Sequence, residues 1–211
     1  MDAWAVVAAE RRALAQLAAG LEPAQWDTPS LCEGWTVKDV VAHLDWPVQP
    51  RPLLRFLPLL AASRGDFDQA NRAATAKRAS LPAAELAADL GARADATFAP
   101  PGLGVASSLT EILVHGEDIR IPLALPADRP AERWDPVLAF LVSPKARRGF
   151  VRGQLPALRY VATDTGWSSG AGDQEVRAPA AALALAFMGR RARLADLQGP
   201  GADALRRWVE R

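Results

Sequence analysis

The sequence predicts a mainly α-helical protein: a helical bundle over residues 1–145, followed by a small α/β domain over residues 146–211. Three observations carry this. Apolar residues recur at helical spacing between glycine and proline breaks through the first part of the chain. The period changes to two near Leu158, as in a half-buried strand. Half of the 211 residues are apolar, which is enough for one good core with a small satellite domain.

The elements follow in order. Residues 2–20 read as a helix, with Trp4, Val7, Leu14 and Leu17 near one stripe and Gly20 as the stop. Residues 21–35, with Pro23, Pro29 and Gly34, read as a loop. Thr36 opens a second helix, because Asp39 three residues on completes a variant of the capping box. This helix runs through Val40, Val41, His43 and Leu44 until Pro47 ends or kinks it. Helical stretches follow at 52–62, 66–79 and 83–98, the last two split by Ser80 and Pro82. Pro100-Pro101-Gly102 is a clear break. A strongly apolar helix over 105–121 ends before Pro122. Residues 122–136 form a proline-rich loop with a possible turn at Ala131–Trp134, and a short helix follows near 136–143. Strands are expected at Leu158–Thr163, from Trp167, and at Glu175–Arg177, with turns at Thr165-Gly166 and Gly170–Asp173. Pro179 suits a helix start. The chain then reads as a helix over Ala180–Met188 and a last helix over Ala202–Val209.

Composition excludes several functions. The net charge is +1 and the charges are mixed, so there is no basic stripe for nucleic acid. The longest apolar runs, such as Leu53–Ala62, contain Arg55 and Pro58 and are too short to span a bilayer. Cys32 is the one cysteine; it builds no internal disulfide and no Cys-rich zinc site. The start of the chain lacks the basic and apolar pattern of a signal peptide. The expected location is therefore the cytoplasm. Ser107 and Ser108 lack a nucleophile elbow. Gly102-x-Gly104 is a turn before a helix rather than a phosphate loop. Cys32 sits in a loop beside Glu33, which does not favour a thiolate, so no chemistry is assigned to it.

The two histidines remain. Glu111 and His115 are four apart on one helix face, with Asp118 three further on. His43 lies on another apolar helix. Packing those helices side by side would set His43 opposite Glu111 and His115, a donor set suited to a divalent ion with a position left open. The same spacing also fits a hydrogen-bonded surface pair and a satisfied core histidine, and spacing alone does not choose. Asp39 and Asp118, each a turn from a candidate ligand, are candidates to orient the imidazoles. Trp35 and Trp46 flank His43 in sequence and are candidate pocket walls.

The segment Leu31-Cys32-Glu33-Gly34-Trp35-Thr36-Val37-Lys38-Asp39-Val40-Val41-Ala42-His43-Leu44 resembles the opening motif of the mycothiol-dependent maleylpyruvate isomerase family, whose members are DinB-like four-helix proteins. Thr110-Glu111-Ile112-Leu113-Val114-His115-Gly116-Glu117-Asp118-Ile119-Arg120 resembles the family's second motif, and Phe67-Asp68-Gln69-Ala70-Asn71 its middle helix. The resemblance implies a DinB-like antiparallel four-helix bundle. It also implies that His43, Glu111 and His115 ligate a divalent metal, most often zinc. The tail is similar to the family's sterol carrier protein-like C-terminal domain, through Val161-Ala162-Thr163-Asp164, Trp167, Glu175-Val176-Arg177 and Met188-Gly189-Arg190. The family's catalytic arginine in that domain corresponds here to Arg190, with Arg191 and Arg193 close by. The implied function is a metal-dependent isomerase or S-transferase. It would use a low-molecular-weight thiol, mycothiol in the family, on a small electrophilic substrate. The alternatives are a non-catalytic metal- or small-ligand-binding module and an apolar-ligand carrier.

Overall fold

The computed structural model describes residues 2–211. It is mainly helical with one three-stranded sheet toward the C-terminal end, in keeping with the mainly α fold class and small α/β part expected. The chain divides into two compact units: Met1–Ala99 with Glu111–Pro126, and Pro100–Thr110 with Ala127–Arg211.

The first unit contains α1 (Ala3–Ala19), α2 (Pro23–Trp26), α3 (Val37–Asp45), α4 (Pro52–Ala62), α5 (Phe67–Ala79) and α6 (Ala83–Ala92), and it takes α7 (Val105–Arg120) from Glu111 onward. α1 packs on α6, α3 lies against α5 and α6, and α4 lies against α5. The core residues are those of the apolar stripes: Val7 and Leu14 of α1, Val37, Val40 and Val41 of α3, Leu86 and Leu90 of α6, and Leu113 and Val114 of α7. Each large side chain buried this way contributes about 1.5–3 kcal/mol.

Local chemistry sets the ends of these helices. Thr36 Oγ1 accepts from Asp39 N at 3.2 Å, and Asp39 Oδ2 accepts from Thr36 N at 2.9 Å, completing the capping box that starts α3. The expected loop over 21–35 contains one helical turn, α2: Pro23 takes the first helical position, and Glu22 with Gln25 closes a second capping box. The helix expected to run to residue 98 stops at Ala92. Beyond it the buried Arg11 guanidinium donates to the carbonyls of Ala94 and Ala96, so those carbonyls pair with a side chain rather than with helical amides. Asp45, at the end of α3, has no exposed side-chain surface and pairs with Arg78 of α5, which also holds Asp89 of α6 at 2.8 Å. Burial raises the Asp45 carboxyl to about 6 against the opposing pull of Arg78.

In the second unit, α8 (Asp135–Leu141) precedes the sheet, formed by β1 (Arg159–Ala162), β2 (Ser168–Ser169) and β3 (Glu175–Ala178) in the order β2-β1-β3. β2 is antiparallel to β1 and β3 is parallel to it, with Tyr160 opposite Val176. Tyr160 and Ala162 are buried while Arg159 is exposed, the alternation that the period of two implies. The turn after β2 crosses close over the chain before β1. A Cβ on Gly170 would lie 2.1 Å from the Leu158 carbonyl oxygen, and one on Gly172 would lie 2.2 Å from that of Ala157. Only glycine fits at either position. α9 (Ala180–Phe187) begins where Ala180 N donates to Asp164 Oδ1 at 2.8 Å. It contributes the buried Leu183, Leu185 and Phe187, and α10 (Ala202–Val209) adds Leu205.

Candidate metal centre

Three residues converge within the first unit. Glu111 and His115 project from α7 one turn apart, and His43 projects from α3. Glu111 Oε2 lies 3.1 Å from His43 Nε2 and 3.1 Å from His115 Nε2. The two imidazole centroids are 4.9 Å apart, nearly edge to face. One donor atom from each of the three residues lies within 4.8 Å of the others, an arrangement that could hold a metal ion. The histidine side chains are 12% and 7% exposed and that of Glu111 is 32% exposed, so the cluster is most open on its carboxylate side.

The surroundings favour charge. Burial opposes ionisation of Glu111, but hydrogen bonds from His115 and His43, and the positive charge there, hold its carboxyl well below the usual range. Burial opposes charge on His115 too. The interactions with Cys32, Asp118 and Glu111 outweigh it and raise the ring well above an ordinary histidine. A dication fits the same donors, because it can take the place of the protons shared between two imidazole nitrogens and a carboxylate.

Three further residues complete the picture. Asp118, fully buried, lies 2.8 Å through Oδ2 from His115 Nδ1. That is the orienting contact expected of it. Asp39 has a different role, since its carboxylate serves the Thr36 cap, accepting also from Thr36 Oγ1 at 2.8 Å. Cys32, to which the sequence reading assigned no chemistry, sits with its sulfur 3.1 Å from Asp118 Oδ2 and 3.6 Å from His115 Nδ1. The available signal was its place in the same continuous motif as His43. That motif folds its loop onto α7, where Leu31 N donates to the Asp118 carbonyl at 3.2 Å.

The tryptophans separate. Trp35 lies against the His43 ring at 5.0 Å, while Trp46 stacks on Phe56 and donates to Asn71 Oδ1 at 3.1 Å. Arg190 belongs to the second unit, just after α9, and its guanidinium donates to the Met188 carbonyl at 2.8 Å. Arg191 reaches the Glu210 carbonyl, and Arg193 pairs with Asp196 at 2.6 Å. A groove of about 780 Å³ between α1 and α6, lined largely by alanines, contains none of the cluster residues.

Residues 7–101 match the family model described as the mycothiol maleylpyruvate isomerase N-terminal domain. The match includes Cys32 and His43 and ends before Glu111. Among solved structures, the chain is similar to the crystal structure of the mycothiol-dependent maleylpyruvate isomerase. The TM-score is 0.54 and the identity 16%, with 92% of this chain and 93% of that chain covered. A histidine-to-alanine mutant of the same enzyme gives the same values. At that identity the likeness establishes the fold. No curated protein sequence matches the chain. No described helix is long and apolar enough to cross a membrane.

Proposed function

We propose that this protein is a metal-dependent enzyme that uses a low-molecular-weight thiol of the mycothiol type on a small electrophilic substrate, as an isomerase or an S-transferase. The observation that carries the reading is the placement of Glu111 Oε2 at 3.1 Å from the Nε2 atoms of both His43 and His115. The family domain over residues 7–101 and the fold shared with the isomerase support it. Fold alone would not, because one fold hosts many chemistries.

His43, Glu111 and His115 would hold the ion, and zinc suits two neutral imidazoles and one carboxylate. A dication so held lowers the pKa of a thiol brought to it and polarises a bound oxygen. The chain's own residues do the rest. Asp118 fixes the His115 ring by accepting its Nδ1–H. Trp35 covers one side of His43. We assign Arg190 to a carboxylate of the substrate, for which the guanidinium fork is suited. On this reading residues 1–145 carry the metal, the small α/β domain of residues 146–211 carries the substrate arginine, and the protein works in the cytoplasm, where small thiols stay reduced.

For an isomerisation, the sulfur adds to one carbon of a conjugated double bond and the displaced π pair moves onto the conjugated carbonyl. The resulting single bond rotates. The pair then returns, re-forms the double bond and expels the sulfur. For a transfer, the adduct takes up a proton and leaves with the sulfur attached.

The test is calorimetric titration of the zinc-loaded protein with mycothiol, followed by assay on small conjugated diacids. Zinc-dependent binding of the thiol and turnover are expected. A fully zinc-loaded protein that binds no thiol would contradict the enzyme reading and favour a non-catalytic metal-binding module.

A further inference from the structure

We infer that Cys32 is a positioning residue for the metal centre, acting on His115 through the buried carboxylate of Asp118. This rests on the reading of His43, Glu111 and His115 as metal ligands and deepens it. Glu111, His115 and Asp118 occupy successive turns of one α7 stripe, so the His115 ring stands between two carboxylates. Its Nε2 lies 3.1 Å from Glu111 and its Nδ1 lies 2.8 Å from Asp118. A proton on Nδ1, donated to Asp118, leaves the Nε2 lone pair for the ion. The ring's usefulness as a ligand therefore depends on where Asp118 Oδ2 is held.

Cys32 helps to hold it. The thiol donates to the same Oδ2 at 3.1 Å. The loop that carries Cys32 is itself braced. Cys32 N donates to Ser30 Oγ at 3.1 Å, Trp35 N donates to the Cys32 carbonyl at 3.0 Å, and Leu31 N donates to the Asp118 carbonyl. Gly34, with φ +76°, permits this tight return. Two neighbouring loop residues thus bond to Asp118, one at its backbone and one at its carboxylate. The side chain of Asp118 has no exposed surface. Removing a donor from a carboxylate buried this way leaves it less well fixed against the ring.

The same three atoms, Cys32 Sγ, His115 Nδ1 and an Asp118 oxygen, also lie close enough together to be read as a ligand set of their own. The geometry favours the positioning role. His115 cannot both donate Nδ1–H to Asp118 and offer Nδ1 to an ion, and its Nε2 already faces Glu111 and His43.

The experiment compares full-length wild type, Cys32→Ala, Cys32→Ser and Asp118→Ala. It measures zinc affinity against a chromophoric chelator, helicity by circular dichroism, and the visible and near-ultraviolet spectra of the cobalt(II) forms. Loss of an outer partner of this kind weakens metal binding about 10- to 100-fold for Asp118→Ala, and by about threefold to tenfold for Cys32→Ala, because a thiol is the weaker donor. Cys32→Ser, which keeps a donor, is expected to recover most of the loss. The cobalt spectrum is expected to lack a sulfur-to-metal charge-transfer band in every form. Wild-type affinity in Cys32→Ala overturns the inference, as does a serine variant no better than alanine. A charge-transfer band that disappears in Cys32→Ala overturns it too, by making Cys32 a ligand. A wild-type protein that takes up no metal contradicts the triad itself, and this inference falls with it.

Discussion

His115 faces a carboxylate at each ring nitrogen, and the two contacts have different consequences. Nε2 faces Glu111 and the second imidazole; Nδ1 faces Asp118 and the Cys32 sulfur. If His115 is a ligand as proposed, replacing it by alanine is expected to abolish stoichiometric zinc in elemental analysis of protein purified without chelator. Alanine at Asp118 removes only the orienting group, and zinc is expected to remain at lower affinity. Equal retention of zinc in both variants would contradict these roles. The convergence of His43, Glu111, His115 and Asp118, though not their roles, was legible in the sequence, because helical spacing and motif pointed to the same positions. Cys32 was not, since its role depends on a loop folding back onto α7, which no local spacing encodes. A second residue-scale expectation concerns Tyr160, the single tyrosine. It is buried, its hydroxyl donates to the Pro156 carbonyl at 2.7 Å, and burial raises it above its ordinary value of 10.0. A raised folded-state pKa gives stability that is complete below the unfolded value and lost as pH rises past it. Tyrosinate absorbance in the native protein is therefore expected to appear well above pH 10, and unfolding to become easier over that range. A native titration at the ordinary value of about 10 would contradict the burial.

Among the elements, α3 shows how much local chemistry can determine. Thr36 and Asp39 announce its start, and Pro47 soon follows its end; helix and capping box both appear where the sequence placed them. The short turn α2 was read as loop, since Pro23 serves both a turn and a helix start equally well and four residues leave no period to detect. α6 was read too long because alanine-rich sequence favours helix without setting its end; the Arg11 side chain, eighty-three residues away from Ala94, takes the carbonyls there. Such long-range partners are invisible in sequence. The Asp45–Arg78–Asp89 group is another, joining α3, α5 and α6. Arg78→Met would leave the Asp45 carboxylate buried without its cation. It is expected to cost about 3 kcal/mol in urea unfolding, as breaking one side of a buried pair does. A loss under about 0.5 kcal/mol, the range of a surface substitution, would mean the group is not structural.

At the scale of the molecule, the helical majority and the small sheet near Leu158 were legible as a change of period from three and a half to two. The sheet's mixed topology was not, because strand order and the parallel pairing of β1 with β3 are long-range features that the local alternation does not encode. Folding and metal binding are linked in this account, since the ligands come from α3 and α7 and an ion held only by the folded chain stabilises it. Zinc at about one hundred times its dissociation constant would add about 2.7 kcal/mol. Thermal melts are expected to rise with zinc and fall with EDTA in wild type, and to show neither change in His115→Ala. The most direct test is a crystal structure of the zinc-soaked wild-type protein with anomalous data at the zinc edge. One anomalous peak is expected, with His43 Nε2, a Glu111 oxygen and His115 Nε2 at about 2.0–2.2 Å. A peak held instead by Cys32, His115 Nδ1 and Asp118, or no peak at the triad under saturating zinc, would contradict it.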